Sequence, residues 1–512
     1  MPNDAEVRDY WSHFTQLPYT RRHSIHHLLD SSGRLVEDIP WPLHCHIDGV
    51  KIYKASGANV EHICWSFSSA LVKLSARRCK FWVTHVPLHL YCRDTNYFLV
   101  AAFRWILSVL RKGVTPSVGF YQEKMEGPSR AQAGIVFTKA LLAGVKTDAK
   151  EKRVQHQSAI RAVTWLAARR WLPFFDLLCN YSIASCLWIS RGRALRKQHD
   201  LRYTRHNGSR ELCQKCCATT RGLLDYRDQS DTAHHRQTQL THASYLHTTP
   251  RAQVSAWCSI PDYDIMLHRD CTQHILYEAG VASFVGGAVM KMLLLNGHFG
   301  LGDLDSRLER AFNIFMQGPE GKRDSHVPAP FTCRRLNLYA QRFPRFGSTY
   351  KHGQVRQFLF FTSRQAQLAC TPASTVTFRF AVSCVTAFSS FIRFLDSRGA
   401  ILNDVDRAAA FELGRAFRCA YTVLVRMSQQ NNDCTWTMTP KAHQFDHTIT
   451  HLSCCAYNPL FQFACWGEET FMGVTAPLAR SVTATDRGLE RALERYALWL
   501  HAEYDGVRGP MC

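Results

Sequence analysis

Apolar and polar residues follow one another in blocks along this chain, and one stretch joins two kinds of periodicity. An extended apolar run from Tyr263 to Leu267 leads to Asp270, and apolar residues then recur at helical spacing as far as Leu293. The pattern predicts a strand, a carboxylate and a buried helix, in that order. A carboxylate between a strand and a helix lies where α/β folds commonly place metal and phosphate chemistry. An aspartate that only caps the helix is the alternative.

The same succession occurs earlier in the chain. A β-rich run from Gly134 ends at Asp148, and helical character starts at Ala149. An aspartate in a surface turn is the alternative at this position. A third acidic position, formed by Glu468 and Glu469, opens a short apolar segment near the C-terminus. Three acidic positions therefore lie at the junctions of predicted elements.

Helical patterns occupy much of the remaining chain. Apolar residues recur at helical spacing from Tyr97 to Leu110, from Asp404 to Met427 and from about Thr485 to Leu500. Residues 300 to about 430 are mostly helical in pattern. A helical block between two α/β portions is typical of an insertion into an α/β domain.

Composition and charge narrow the class of protein. The 512 residues are 46% hydrophobic and 12% aromatic, which excludes wholesale disorder and predicts more than one domain. The net charge of +21 favours a polyanionic partner, most often nucleic acid, over a membrane surface. We find no secretory signal and no membrane span in the sequence, so the 20 cysteines are expected to be reduced thiols. A nuclear location is predicted, with the cytoplasm as the alternative.

The positive charge is concentrated between Arg191 and Arg221, a segment that contains nine Lys/Arg and two acidic residues. Aromatic and histidine side chains are interleaved with these cations, which favours a groove that binds the nucleic-acid backbone. A solvated basic face is the alternative. The candidate DNA-binding residues are Arg191, Arg193, Arg196, Lys197, Arg202 and Arg205.

Two motifs offer metal ligands of the zinc type. Cys213 and Cys216 form a CxxC pair, which is half of a zinc site, and the candidates for the other half are His234, His235 and Cys258. A redox role for the pair is less favoured because no thioredoxin-like βαβ pattern surrounds it. Separately, His443, His447 and His451 are spaced to share one face of a helix. That stripe suits a metal, a phosphate or the packing of neutral imidazoles.

The order of these features resembles a known group of mobile-element enzymes. Acids on separate elements in this order are similar to the RNase H-like (DDE-type) transposase core. The motif Cys271-x-x-His274 resembles the C/D-x-x-H signature of CACTA and Plavaka-like transposases. Pro440-Lys441-x-His443 with His447, followed by an acid, resembles the block before the last acid in those groups.

A further resemblance, covering roughly residues 130 to 480, is to a multicopy, transposon-derived family of algal genomes. Its blocks correspond here to Thr147–Lys150, Cys213–Ala218, Ala233–Thr238, Ser255–Pro261, Asp270–Ala282 and Pro440–Gly473. The chain departs from the pattern in three places. The glycine before the first acid is displaced to Gly144, residues 154–200 look like extra sequence, and Asp270 lies one residue before the expected position.

The resemblance implies a fold, an activity and a cofactor. The expected fold class is α/β: an RNase H-like mixed sheet flanked by helices, interrupted by a mainly helical insertion, with an α+β N-terminal region. The expected activity is Mg²⁺-dependent (or Mn²⁺-dependent) phosphodiester cleavage and strand transfer. Asp148, Asp270 and Glu469, with Glu468 in reserve, would be the catalytic acids and the ligands of the ions, because Mg²⁺ takes oxygen ligands.

The predicted organisation has four parts: residues 1–125, an N-terminal region of unassigned role; 126–299, the first part of the core with the basic CxxC segment; 300–435, the helical insertion; and 436–512, the last acid and the closing helix. DNA is the expected partner, a second copy of the chain is a further candidate, and no membrane is expected. The alternatives to an active enzyme are a domesticated DNA-binding protein without catalysis and a zinc-stabilised interaction protein.

Overall fold

The computed structural model describes residues 4–30, 39–55, 58–69, 71, 80–87, 93–114, 140–147, 213, 215–220, 222–248, 256–260, 262–323, 327–339 and 341–466. The chain divides into two compact units. The first unit takes residues 1–203, 241–270 and 465–512, and the second takes residues 204–240 and 271–464. The second unit includes the predicted insertion 300–435 and extends beyond it on both sides.

The first unit contains a five-stranded sheet. Its described strands and helices of more than five residues, in chain order, are α1 (Asp4–Thr15), β1 (Trp41–Ala55), β2 (Ala58–Ser69), β3 (Lys80–Pro87), α2 (Arg93–Lys112), β4 (Ala140–Thr147) and α3 (His242–Thr248), followed by the short strand β5 (His268–Asp270). Helix α2 confirms the helix predicted over 97–110, and β4 lies within the predicted extended run 134–148.

The strand order across the sheet is β3-β2-β1-β4-β5. The first three strands are antiparallel neighbours, whereas β4 runs parallel to β1 and β5 runs parallel to β4. The sheet is therefore mixed. The chain enters β5 more than a hundred residues after it leaves β4, so the parallel edge is assembled from distant segments.

Buried aromatic residues fix α1 in the first unit. Tyr10, Trp11 and Phe14 are each no more than 1% exposed, and the indole of Trp11 donates to the carbonyl of Pro40 at 2.6 Å. The buried imidazole of His23 lies 2.9 Å from the carbonyl oxygen of Leu142 in β4. These contacts hold the N-terminal region against β4, an inner strand of the sheet.

The approach to β5 differs from the predicted strand over 263–267. Residues Ile265–Leu267 form a single 3₁₀ turn, and the strand is confined to His268–Asp270. Asp264 causes the turn, because its carboxylate accepts from the amide of Met266 at 2.8 Å and its carbonyl accepts from Leu267 at 2.9 Å. Local side-chain to backbone bonds of this kind compete with sheet formation.

The second unit is helical. Its described helices are α4 (Thr272–Leu276), α5 (Val281–Leu295), α6 (Leu304–Gln317), α7 (Cys333–Leu336), α8 (His352–Ala369), α9 (Val376–Asp396), α10 (Asp404–Gln430), α11 (Pro440–His451) and α12 (Pro459–Gln462). The helical character predicted for residues 300–430 is confirmed, as is the amphipathic helix predicted over 404–427. Polar side chains at the preceding residue cap several of these helices, Thr439 before α11 among them.

The helix predicted after Asp270 is divided in two. Ala279 takes a positive φ of 44°, and α5 restarts at Val281 after Gly280. A Cβ on Gly280 would lie 2.0 Å from the carbonyl oxygen of Ile275, so only glycine fits this close turn. The short α4 and the buried α5 therefore meet at an angle that one continuous helix would not allow.

Phenylalanine packing forms the core of the helical unit. Phe315, Phe358 and Phe361 are fully buried and make edge-on ring contacts. Two segments, 272–295 and α9, are long and apolar enough to cross a membrane by length and composition alone. Two thirds and one half of their most apolar windows are buried inside the protein, as in the core helices of globular proteins.

Candidate functional site

The carboxyl ends of β4 and β5 are in register with each other and with the middle of β1, which runs parallel to them. Ile47 of β1 pairs with Thr147 of β4, and Thr147 pairs with Asp270 of β5. Neighbouring strands are about 4.8 Å apart, so this row brings backbone positions that are distant in sequence within side-chain reach of one another. Of the predicted acids, the row contains Asp270.

Asp270 is the one predicted acid that the structure describes. It is half-buried at the end of β5. The neighbouring Arg269 is 7% exposed, bonds to the hydroxyl of Tyr19, and holds its guanidinium carbon 5.0 Å from the centre of that ring. Arg269 therefore fixes β5 from one side, while Asp270 lies at its carboxyl end.

Asp148, Glu468 and Glu469 lie outside the described residues. Asp148 is the residue after Thr147, which is the β4 member of the row. On the C-terminal side, the amide of Thr272 donates to the carbonyl of Phe463 at 3.1 Å. Glu468 follows Phe463 by five residues in the sequence, and Thr272 follows Asp270 by two. The convergence of the predicted acids remains a prediction.

The register also singles out an acid that the sequence reasoning missed. Asp48 is the residue after Ile47 on β1, just as Asp148 is the residue after Thr147 in the sequence. Because Ile47 and Thr147 are paired, Asp48 and Asp148 each come one residue after a member of the row. It lies in the middle of a strand and pairs with Cys64 of β2. A charged residue inside an extended stretch with no turn signal was the available clue, but the strand order was needed to interpret it.

The motifs Cys271-x-x-His274 and Pro440-Lys441-x-His443 contact one another in the helical unit. The Nδ1 atom of His274 lies 3.0 Å from the sulfur of Cys271, within the CxxH motif. The ammonium of Lys441 donates to the carbonyl of His274 at 3.0 Å and also bonds the carbonyl of Glu278. Burial, and then the charges of His274 and Lys441, lower the pKa of the adjacent His352 to about 4. The motifs therefore join α4 to α11 beside an imidazole, that of His352, which is neutral near pH 7.

A cluster of cysteine and histidine side chains lies where the CxxC pair meets the histidines of α11. The sulfur of Cys213 lies 3.2 Å from Nε2 of His447, and the sulfur of Cys216 lies 3.3 Å from Nε2 of His443. All four ligand atoms lie within 4.8 Å of one another, and all four residues are buried. The side chains that face the CxxC pair are thus His443 and His447 of α11, whereas the sequence suggested His234, His235 or Cys258.

The two sulfurs of this cluster differ in their electrostatics. Burial raises the pKa of Cys213, but the hydrogen bond with Cys216 and the charges of His447 and His443 outweigh burial, so the pKa lies well below its usual range. The hydrogen bond with Cys213 and burial raise the pKa of Cys216. Two sulfurs that each face a different imidazole nitrogen are a set of donors for a soft or borderline cation.

Further charged groups surround the cluster. His235, His443 and Asp446 form an adjoining buried group whose candidate donor atoms lie within 4.8 Å. Asp446 accepts from Arg236 at 2.7 Å and from Arg418 at 3.1 Å. His451, the third member of the predicted stripe, is the last residue of α11 and lies outside both groups.

The predicted DNA-binding residues from Arg191 to Arg205 lie outside the described residues. No protein-family model matches the chain, and a comparison with curated proteins finds no match. The site is therefore argued from its own geometry.

Proposed function

We propose that this protein is a transposase-derived DNA-processing protein that cleaves phosphodiester bonds with the help of Mg²⁺ or Mn²⁺. The observation that carries the proposal is the row formed by Ile47, Thr147 and Asp270 on parallel strands. Carboxylates at or just after each member of that row would lie on neighbouring strands, at the same level of one sheet. Paired divalent ions in such sites stabilise the attacking and leaving oxygens of a phosphodiester displacement.

The residues that would hold the ions are oxygen donors, which suits a hard cation. Asp148, Asp270 and Glu469, with Glu468 in reserve, are the acids expected from the resemblance, and Asp48 joins them on the strand register. The mixed sheet and the large helical unit that follows β5 agree with an RNase H-like core carrying an insertion. Backbone contacts to DNA would come from the basic segment between Arg191 and Arg205.

The test is nicking of supercoiled plasmid by the full chain in Mg²⁺, Mn²⁺ or Ca²⁺. The variants Asp48→Asn, Asp148→Asn, Asp270→Asn and Glu469→Gln each remove one candidate ligand while conserving size. We expect the replacement of each true metal ligand to reduce the nicking rate about a thousandfold, because the bound ions stabilise the charge of the transition state by several kcal/mol. Asp9→Asn, at a 59% exposed side chain of α1, is the control and should cleave like wild type.

The pattern of losses also assigns the acids. If nicking is lost in Asp48→Asn and Asp148→Asn but is normal in Asp270→Asn, the first catalytic acid is Asp48 of β1. Nicking that persists in all four variants would exclude the proposed chemistry.

The net charge of +21 favours one alternative, a domesticated DNA-binding protein without catalysis. That protein would bind duplex DNA with strong salt dependence and would not nick it in any divalent ion. Absence of DNA binding at low salt would exclude both functions.

A further inference from the structure

Two pairs of potential ligands, more than two hundred residues apart in sequence, meet inside the helical unit. Cys213 and Cys216 approach on an irregular segment, and His443 and His447 lie one turn apart on α11. The cross distances of 3.2 and 3.3 Å between sulfur and Nε2 are close to the edges of a tetrahedron around zinc. Those edges are about 3.3 to 3.8 Å for the usual zinc–sulfur and zinc–nitrogen bond lengths.

We infer that Cys213, Cys216, His443 and His447 bind one structural Zn²⁺ ion that fastens the segment 213–240 to α11. Two sulfurs and two imidazole nitrogens are a preferred ligand set for zinc. Their residues are between 1% and 8% exposed, and four protein ligands leave no position for water or substrate. The ion therefore has a role in stability and does not take part in phosphodiester chemistry.

The local backbone prepares the cysteine pair for a cation. The amide of Lys215 donates to the sulfur of Cys213 at 3.3 Å, which favours the thiolate. The amide of Cys217 donates to the hydroxyl of Thr238 at 2.9 Å, and the amide of Leu240 donates to the carbonyl of Lys215 at 2.8 Å. The segment is thus held by its own hydrogen bonds as well as by its contacts with α11.

The histidine pair is prepared by the helix. Thr439 caps α11, and Pro440 occupies its first turn, so the helical spacing that places His443 and His447 on one face is fixed from the start. Nδ1 of His443 is buried and has no hydrogen-bond partner among the described residues. A carboxylate, Asp446, stands in the adjoining group, and outer carboxylates commonly orient histidine ligands of zinc.

A disulfide or redox pair explains this arrangement less well. Both cysteines are free, and each sulfur faces a different imidazole. A redox pair needs neither imidazole and needs access to a partner thiol, whereas Cys213 and Cys216 are 2% and 1% exposed.

The experiment is metal analysis of the full chain purified without chelator. We expect about one zinc ion per chain in the wild type, released stoichiometrically by a thiol-blocking mercurial. Replacement by Co²⁺ should give the intense visible bands of a tetrahedral site and a sulfur-to-cobalt charge-transfer band. Cys213→Ser and His447→Ala should each lower the zinc content about tenfold or more.

Matched controls lie beside the ligands. Cys217→Ser changes the next cysteine in the same segment, and His451→Ala changes the next histidine on α11. Both should keep the full zinc content. His447→Cys should keep the metal and strengthen the charge-transfer band, because a third sulfur replaces a nitrogen; that result separates ligand loss from misfolding.

Wild-type protein without zinc and without a tetrahedral Co²⁺ spectrum overturns the inference. Equal metal content in the ligand variants and the controls also overturns it. The outcome is independent of plasmid nicking, so the zinc site and the proposed nuclease stand or fall separately.

Discussion

At the scale of single residues, the helical unit depends on a buried charge cluster as well as on apolar packing. The guanidinium of Arg418 is 1% exposed and bonds both Asp446 and Asp231. The pKa of Asp446 is lowered, because the interaction with His235, whose Nε2 lies 4.0 Å from the carboxylate, and the charges of Arg236 and Arg418 outweigh the effect of its burial. Each member of such a cluster compensates the desolvation of another, so removal of one leaves an unpaired buried charge.

Arg418→Ala is therefore expected to lower the free energy of unfolding by about 3 to 5 kcal/mol. Arg415→Ala, one turn earlier on α10, removes an exposed arginine that pairs with its neighbour Glu412, and should leave the stability close to that of the wild type. Thermal unfolding of both variants measures the difference. Equal midpoints for the two variants would contradict the role given to Arg418.

Several motif residues singled out from the sequence have structural partners. Asn458, which lies within the block Pro440–Gly473, is fully buried, and its side chain donates to the carbonyls of Leu395 and Gly399 at 2.7 and 3.0 Å. Lys441 likewise caps backbone carbonyls near α4. Sequence patterns identified these positions, but only the folded contacts separate a packing role from a chemical one.

At the scale of elements, close approach explains two small residues in α5. Gly286 lies against the ring of Phe346, and a Cβ on Gly287 would lie 2.5 Å from Cα of Arg345. The backbone after Pro344 therefore crosses α5 at a distance that excludes side chains. Such a crossing is invisible to helical periodicity, which records only that both positions are buried.

Gly287→Ala should destabilise the protein by about 1 to 3 kcal/mol, because the clash with backbone outweighs the higher helix propensity of alanine. Gly353→Ala in α8 is the matched change, since nothing lies within 4 Å of its Cβ position, and it should be neutral or slightly stabilising. Chemical denaturation of both variants distinguishes them. A neutral Gly287→Ala would show that the crossing segment moves away freely.

The sequence predicted elements better than it predicted their junctions. Long helices such as α2 and α10 follow from apolar periodicity, since many residues contribute to one signal. The turn before β5 and the break at Gly280 depend on one aspartate carboxylate and one close backbone contact. Likewise the CxxC pair was recognised, but its histidine partners lie on another element and needed the fold to be assigned.

At the scale of the whole molecule, the excess of positive charge should determine the affinity for DNA. Neutralising Arg191, Arg193, Arg196, Lys197, Arg202 and Arg205 to glutamine should flatten the plot of log affinity against log salt by up to about five units of slope. The control is a variant with the same number of changes at exposed cations of the helical unit, including Arg379, Arg415 and Arg426. Identical slopes for the two sets would place the DNA contacts elsewhere.

The pairing of β5 with β4 has a consequence for the newborn polypeptide on the ribosome. Strand β4 leaves the exit tunnel long before His268–Asp270 is translated, and until then its outer backbone groups lack this partner. Translation speed and chaperone capture during that interval should therefore govern the yield of active molecules. Slow synthesis of the residues between β4 and β5 would favour aggregation of nascent chains over folding.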